Sequence, residues 1–147
     1  MDDDTIERAY ALVHRALGDW WKDDRRNWCA YCGIPMRRSA KKGVQVPLTK
    51  STRDHVIPRK HNGGLLTIPA CRSCNSAKSA LSLQEFLLTD HFQLRRKHRH
   101  RNQWPVDRLW LVAAAAALKR SITLSEAARS ETAAREHADD RKSGIAS

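Results

Sequence analysis

The amino-acid sequence predicts a helix-rich α+β fold, and three observations support that prediction. Helical patterns occupy the N-terminal part of the chain and return from residue 74 onward. Between residues 28 and 75 helical periodicity disappears, and glycine and proline punctuate short strand-like stretches. Two C-x-x-C pairs lie at the two ends of this central stretch. We therefore expect a small cross-linked centre with helices packed around it.

The first predicted element is an amphipathic helix over residues 4–22. Asp4 is expected to cap it, and Glu7 stands three residues later, as in a capping box. One apolar stripe runs along the helix at three- and four-residue spacing. Its members are Ile6, Tyr10, Val13, Leu17, Trp20 and Trp21. The charged sequence DDRRN at 23–27 breaks the pattern.

The central stretch predicts two strands, GVQVPL and RDHVI, at residues 43–48 and 53–57. Helix is expected again at 74–81. Ser82 and Glu85 then form a second capping-box pattern, ahead of a helix that reaches the basic sequence RRKHRHR.

A third helical run occupies residues 106–121, and the Ala- and Glu-rich sequence that follows can extend it. We therefore divide the chain into four parts: an N-terminal helix that packs on the core, a central domain, a pair of basic and Ala-rich helices, and a polar C-terminal helix with its tail. Their respective bounds are 1–26, 27–90, 91–122 and 123–147.

The positive charge is concentrated in the middle of the chain. The formal net charge is +11, made up of −4 in residues 1–24, +16 in residues 25–120 and −1 in the remainder. Such a distribution favours a polyanionic partner, most often nucleic acid and less often an acidic membrane surface. The basic run at 95–101 is expected to follow a phosphate backbone, although a solvated helix end is the alternative.

The sequence contains no candidate membrane segment. The most apolar run, at 109–118, has ten residues, about half of what a membrane span needs. The N-terminus is acidic and lacks the apolar stretch of a secretory signal. We therefore expect a cytoplasmic protein, whose thiols stay reduced.

Four cysteines in a reducing compartment indicate a metal more than disulfides. Two C-x-x-C pairs separated by 38 residues suit a closed tetrahedral zinc site, and Gly33 supplies the turn after the first pair. Redox pairs or unpaired core cysteines are the alternatives. A site with four protein ligands leaves no position for a reactive water, so any catalysis belongs to other groups. The proposed ligands are Cys29, Cys32, Cys71 and Cys74.

Hard oxygen ligands lie close to these cysteines in the sequence. Asp54 and His55 lie between the two pairs, and Asn75 directly follows the last cysteine. Carboxylate and amide oxygens suit Mg²⁺ or Mn²⁺, and a neutral histidine beside such an ion can take a proton from water. Asn75 taken alone fits a helix cap equally well.

These motifs together resemble the HNH endonucleases of the ββα-metal, treble-clef type. The shared features are the first C-x-x-C, the sequence DHVIPR, a Gly-Gly pair and the sequence PACRSCNSAKS, in that order. The similarity covers about residues 27–90 and is strongest to four-cysteine members, including phage recombination and packaging-associated nucleases. It implies a zinc-stapled ββα core with flanking helices, a hairpin that ends near His55 and a helix that starts near Asn75.

The resemblance also implies a role for each matching residue. His55 would be the general base for water, and Asp54 and Asn75 would hold the catalytic divalent metal. The family's products carry 5′-phosphate and 3′-hydroxyl ends. Lys78 matches a basic residue that faces the nucleic-acid backbone, although a solvated helix position is the alternative. Arg53, Arg59 and Lys60 flank the site and are expected to anchor the DNA strand.

One position departs from the family pattern. The family usually has an asparagine about five residues before the third cysteine, which braces the catalytic loop, and this chain has Leu66 there. Asn62 is a possible substitute, and the neighbouring His61 is expected to be a loop residue or a phosphate neighbour.

The leading prediction from the sequence is a metal-dependent DNA endonuclease or nickase with a structural zinc ion. A zinc-stabilised nucleic-acid-binding module with an inactive HNH site, which would act as a partner or regulator, is the alternative. An adaptor that works through its C-terminal helices is the third possibility, and the same helices are the candidate contact for a homodimer.

Overall fold

The computed structural model describes residues 2–37, 43, 47–57, 66–97 and 102–145. These residues form a helix-rich α+β structure around a two-stranded antiparallel sheet, which confirms the predicted fold class. The elements in chain order are α1 (Asp3–Leu17), two 3-10 turns (Trp20–Lys22 and Asp24–Asn27), β1 (Ser51–His55), β2 (Thr67–Cys71), α2 (Arg72–Lys78), α3 (Leu83–Leu87), α4 (Asp90–Arg95) and α5 (Val106–Ile145).

Helix α1 is shorter than predicted and begins earlier. Asp2, not Asp4, caps it, since the Asp2 carboxylate accepts a hydrogen bond from the Thr5 amide at 2.7 Å. The helix stops at Leu17 because Gly18 adopts a positive φ of 55°, which only glycine reaches without strain. Both tryptophans of the predicted stripe therefore lie in the 3-10 turn that follows.

Strands β1 and β2 form the hairpin that carries the candidate site. Their register pairs Ser51 with Cys71 at one end and His55 with Thr67 at the other. The predicted strand at 53–57 overlaps the second half of β1. The other predicted strand, at 43–48, lies mostly outside the described residues, and its last two residues are not in a strand.

Helix α2 follows β2 without a loop. Cys71 is at once the last residue of β2 and the N-cap of α2, and its sulfur accepts a hydrogen bond from the Cys74 amide at 3.4 Å. The helix thus begins at Arg72, a few residues before the predicted start. The hairpin and α2 together form a ββα unit.

The capping box at Ser82 is confirmed: Ser82 N donates to Glu85 Oε1 at 3.1 Å, and Glu85 N donates to Ser82 Oγ at 3.2 Å. The long helix predicted after it is wrong, because Thr89 starts a new one. The Thr89 hydroxyl donates to Phe86 O at 2.6 Å and accepts from the Phe92 amide at 3.3 Å, so α3 and α4 are separate.

Helix α5 is continuous over 40 residues, so the predicted continuation beyond residue 121 is confirmed. Its N-terminal half packs against the core and α1, whereas residues 123–141 are exposed. Lys119 links the two helices, since its Nζ pairs with Glu7 and lies 5.6 Å from the centre of the Tyr10 ring. No helix within the described ranges is both long and apolar enough to cross a membrane.

An aromatic cluster joins the cysteine region to the helices. The Tyr31 ring lies 4.8 Å from Phe86 and 6.2 Å from Phe92, measured between ring centroids. Arg96 donates to Tyr31 O at 2.7 Å and to Trp104 O at 2.6 Å, and so attaches the chain between α4 and α5 to the core. Part of the basic run therefore has a structural role.

Candidate metal centre and active site

Four buried cysteine sulfurs lie together between the first C-x-x-C turn and the ββα unit. All four lie within 4.8 Å of one another, and Cys32 Sγ and Cys71 Sγ are 3.9 Å apart. Zinc–sulfur bonds of about 2.3 Å in a tetrahedron place sulfurs about 3.8 Å apart. The cluster of Cys29, Cys32, Cys71 and Cys74 therefore has the ligand type, number and spacing that zinc requires.

Local backbone geometry presents each pair of sulfurs. In the first pair, Gly33 takes a φ of 78° and donates to Cys29 O at 2.8 Å, while Cys29 N donates to Ile34 O at 3.0 Å. In the second pair, the junction of β2 and α2 supplies Cys71 and the first turn of α2 supplies Cys74. This is why the spacing alone was a sufficient signal for the site.

Burial and mutual hydrogen bonds shift the pKa values of these thiols in different directions. Burial raises the pKa of Cys29, whereas a hydrogen bond from Cys29 lowers the pKa of Cys32. A divalent cation bound here would stabilise all four as thiolates, and because it would have four protein ligands its role would be structural.

Asp54 is buried beside this cluster, with only 2% of its surface exposed. Its Oδ2 accepts a hydrogen bond from the Tyr31 hydroxyl, and its Oδ1 lies 3.2 Å from Lys78 Nζ. Burial raises the pKa of Asp54, against the opposing effects of Lys78 and Tyr31. Because Tyr31 lies within the first C-x-x-C turn, this hydrogen bond connects the cysteine cluster directly to β1.

Lys78 does not occupy the position expected from the sequence. Its side chain is fully buried, and besides the ion pair with Asp54 its Nζ donates to His55 O at 3.1 Å. A side chain without exposed surface cannot contact a phosphate backbone in this conformation, nor is it a solvated position. Its role here is to neutralise Asp54 and to hold the backbone of His55.

A sequence signal for this burial was present and unused. Lys78 follows Cys74 by four residues on α2, and residues four apart on a helix share one face. A helix face that presents a metal ligand to the core must also present Lys78 to the core. Tyr31 and Thr52 were not predicted as site residues, and no spacing rule indicates their contacts.

His55 and Asn75 lie at less buried positions than Asp54. His55 is half-buried at the end of β1, and the alternation of strand side chains places it on the face opposite Asp54. Asn75 Nδ2 donates to Thr52 Oγ1 at 3.0 Å, which leaves its carbonyl oxygen for another partner. The Asn75 side chain thus contacts β1 and does not cap α2.

The oxygen donors at this position have the right chemistry for Mg²⁺ or Mn²⁺. A carboxylate has about four lone pairs, of which Tyr31 and Lys78 use two at Asp54. A cation bound to Asp54 therefore shares the carboxylate with the ammonium group of Lys78.

Leu66 fills the position where an asparagine was expected. It is buried in the core, and its carbonyl accepts a hydrogen bond from the Val56 amide at 3.0 Å, directly beyond the β1–β2 ladder. An apolar side chain cannot brace a loop by hydrogen bonds. The bond from Lys78 to His55 O supplies such a brace from a different element.

The expected strand-anchoring residues are only partly described. Arg53 is exposed on β1. Arg59 and Lys60 lie outside the described residues, as do His61 and Asn62.

Comparison with known protein families agrees with this geometry. The family model of the HNH endonucleases matches residues 29–81, which span both C-x-x-C pairs, the hairpin and α2. The resemblance inferred from the motifs is thereby confirmed over this segment. Neither the curated proteins nor the solved structures gave a match.

Proposed function

We propose that the protein is a metal-dependent DNA endonuclease that hydrolyses phosphodiester bonds, with His55 as its general base. The family match over residues 29–81 is the observation that carries this proposal. Within that segment Asp54 and His55 are consecutive residues of β1, and Cys71 at the end of the partner strand belongs to the four-cysteine cluster. The net charge of +16 in residues 25–120 supports a nucleic-acid substrate.

His55 would remove a proton from the attacking water. Its backbone is fixed on two sides, by the ladder with β2 and by the hydrogen bond that its carbonyl accepts from Lys78. A fixed backbone reduces the freedom of the imidazole, and a well-positioned base is what a hydrolytic step requires. Lys78 is in this view a positioning residue.

Asp54 and Asn75 would hold the divalent cation. When bound, the cation supplies charge stabilisation for the phosphate and for the leaving 3′ oxygen. Arg53 would bind the DNA strand next to the site through its phosphates. A single site of this kind cuts one strand, so a nick is the expected first product.

An inactive HNH site that binds nucleic acid without cutting it is the alternative function. The enclosure of Asp54 by Tyr31 and Lys78 favours this alternative, as does the buried Leu66. In that case the zinc cluster and the basic surface would remain, and divalent metal would have no effect on the substrate.

Nicking of supercoiled plasmid by the purified protein tests the proposal. We expect nicks with Mg²⁺ or Mn²⁺, none with EDTA, and at least a 100-fold loss of rate in His55→Ala, since a general base contributes about 10²- to 10⁴-fold. His137→Ala, at an exposed position of α5, is the matched control and should cut at the wild-type rate.

Plasmid binding should be measured in the same samples. Binding by the wild-type protein without nicking under any metal condition would overturn the endonuclease and leave the binding module. Cutting by His55→Ala at the wild-type rate would overturn the assignment of the base.

A further inference from the structure

An open cavity of about 270 Å³ lies between the first 3-10 turn and strand β1. It is somewhat smaller than the roughly 300–1,000 Å³ of ordinary small-molecule pockets, so it suits one compact group. The lining side chains are aromatic, cationic or hydroxylic, and none is acidic. They belong to Trp20, Trp21, Arg26, Ser51, Thr52 and Arg53.

The two tryptophans have different roles in this cavity. Trp20 is buried, and its Nε1 donates to Thr67 O at 2.9 Å, which attaches the 3-10 turn to β2. Trp21 is half-buried and meets Trp20 edge-on, with 5.9 Å between ring centroids. Trp20 therefore fixes the 3-10 turn to the sheet, and this position leaves the ring of Trp21 lining the cavity.

Two arginines accompany Trp21. The guanidinium carbon of Arg53 lies 5.0 Å from the centre of the Trp21 ring, within the range of a cation–π contact. Arg26 donates from Nη1 to Trp21 O at 3.3 Å, while its buried Nε has no hydrogen-bond partner among the described residues.

Neither arginine forms an ion pair with a carboxylate in the described part of the chain. The nearby Asp23 is already bound by Arg25, with 2.7 Å between Arg25 Nη2 and Asp23 Oδ2. The cavity thus has two cations and no counter-ion in its lining, which is the electrostatic requirement of an anion site.

A second open cavity, of about 400 Å³, differs from the first because carboxylates accompany the arginines in its lining. It also contains two tryptophans and two arginines, but its lining includes two carboxylates as well. These residues are Trp28, Trp104, Arg25, Arg108, Asp23 and Asp24. The acidic groups balance its arginines and disfavour a phosphate. This second cavity therefore provides matched control residues.

The first cavity adjoins the proposed active site. Arg53 precedes His55 by two residues on β1, so their side chains share a strand face about 7 Å apart. Thr52, also in the lining, bonds to Asn75 at 3.0 Å. The separation of Arg53 and His55, about 7 Å, is close to the spacing of neighbouring phosphates along an extended nucleic-acid strand. A group in the cavity would therefore belong to a nucleotide next to the one at His55.

We propose that this cavity binds one unpaired nucleotide, with its base stacked on Trp21 and Arg53 and its phosphate held by Arg26 and Arg53. A base inside a duplex is already stacked on both sides, whereas an unpaired base is free to stack on an aromatic ring or a guanidinium plane. The cavity thus selects nucleic acid with a single-stranded segment. Its placement beside the scissile phosphate rests on the proposed function, but the binding itself does not.

The test measures affinity of the zinc-loaded, full-length protein for a fluorescent 12-nucleotide single strand and for the matching duplex, without added Mg²⁺ or Mn²⁺ so that no cutting occurs. Stacking of one base is worth about 1–3 kcal/mol, equivalent to about 5- to 150-fold in affinity. Trp21→Ala should therefore weaken single-strand binding at least fivefold and change duplex binding less than twofold. Trp21→Phe should retain most of the single-strand affinity.

Arg53→Ala is the second variant, since Arg53 is exposed and its loss does not threaten folding. It should flatten the dependence of single-strand affinity on salt by about 0.7 in the log–log slope, the value for one phosphate contact. Arg108→Ala, in the second cavity, and Trp110→Ala, at an exposed position of α5, are the matched controls and should leave the single-strand preference unchanged.

Equal losses for single strand and duplex, or no loss in Trp21→Ala, would overturn the nucleotide cavity. A Trp21-dependent preference in a protein that never cuts would uphold the cavity while the endonuclease fails. Cutting by a protein in which neither Trp21→Ala nor Arg53→Ala changes single-strand binding would uphold the endonuclease and overturn the nucleotide cavity.

Discussion

The two faces of strand β1 differ in their chemistry. On the buried face, Asp54 is enclosed by Tyr31 and Lys78, and each charge has a fixed partner. On the open face, Arg53 and the cavity beside it carry positive charge without a carboxylate partner among the described residues. The buried face therefore stabilises the domain, while the open face remains available to an anionic ligand.

Charged residues that are neighbours in this sequence therefore need not share a function. Arg53 and Asp54 are neighbours in the chain, yet strand alternation sends them to opposite environments. Substitutions of the residues that enclose Asp54 should therefore change stability, and substitutions on the open face should change binding. The expected effects on stability decrease from the cysteine cluster to Lys78 and then to Arg53.

Loss of one zinc ligand should have the largest effect. Cys32→Ser removes a thiolate from the cluster, and structural zinc contributes about 10–16 kcal/mol of apparent binding free energy in small zinc domains. We expect the variant to lose stoichiometric zinc and the folded structure of the ββα unit. Metal analysis and near-UV circular dichroism measure the two properties.

The control is Ser76→Ala, at an exposed position of α2, which should retain both zinc and signal. Addition of a strong chelator to the wild-type protein should reproduce the Cys32→Ser result. If the chelated protein or the Cys32→Ser variant kept its near-UV circular dichroism signal, the prediction would be contradicted. The hydrophobic core would then maintain the fold on both faces of β1 without metal.

Removal of the buried cation should have the next largest effect. Lys78→Met keeps most of the side-chain volume but leaves the Asp54 carboxylate buried without its ion pair. Breaking a buried pair from one side costs about 3–5 kcal/mol. Urea denaturation of the zinc-loaded protein should show a loss of this size in the free energy of unfolding.

The double variant Lys78→Met with Asp54→Asn separates this explanation from simple packing. Because no buried charge remains, the double variant should recover part of the stability that the single one lost. Equal instability in both would mean that Lys78 acts by its volume and by its bond to His55 O. Tyr31→Phe, which removes only the hydroxyl donor, should cost less, about 1–3 kcal/mol.

Features encoded by short spacings could be predicted from the sequence. The C-x-x-C pairs, the capping box at Ser82 and the long final helix all depend on residues within a few positions of one another. The resemblance built on the same motifs agrees with the family match at residues 29–81.

Features that depend on distant contacts could not be predicted in the same way. The hydrogen bond from Tyr31 to Asp54 spans 23 residues, and the bond from Trp20 to Thr67 spans 47. Such contacts depend on the path of the whole chain and not on local periodicity. The end of α1 was also missed, because Gly18 was read as one residue of a helical pattern although its positive φ terminates the helix.

The open face should show the smallest effect on stability. Arg53→Ala removes an exposed side chain that contacts the Trp21 ring, and surface substitutions of this kind usually change stability by no more than about 0.5 kcal/mol. We expect its urea midpoint to match that of the wild-type protein.

A loss above 1 kcal/mol would mean that the pair of Arg53 and Trp21 fastens the 3-10 turn to β1. The two faces would then share the work of stabilisation, and weaker binding by this variant would no longer indicate a ligand contact. An unchanged midpoint together with weaker single-strand binding would instead assign Arg53 to the ligand and separate the two faces by function.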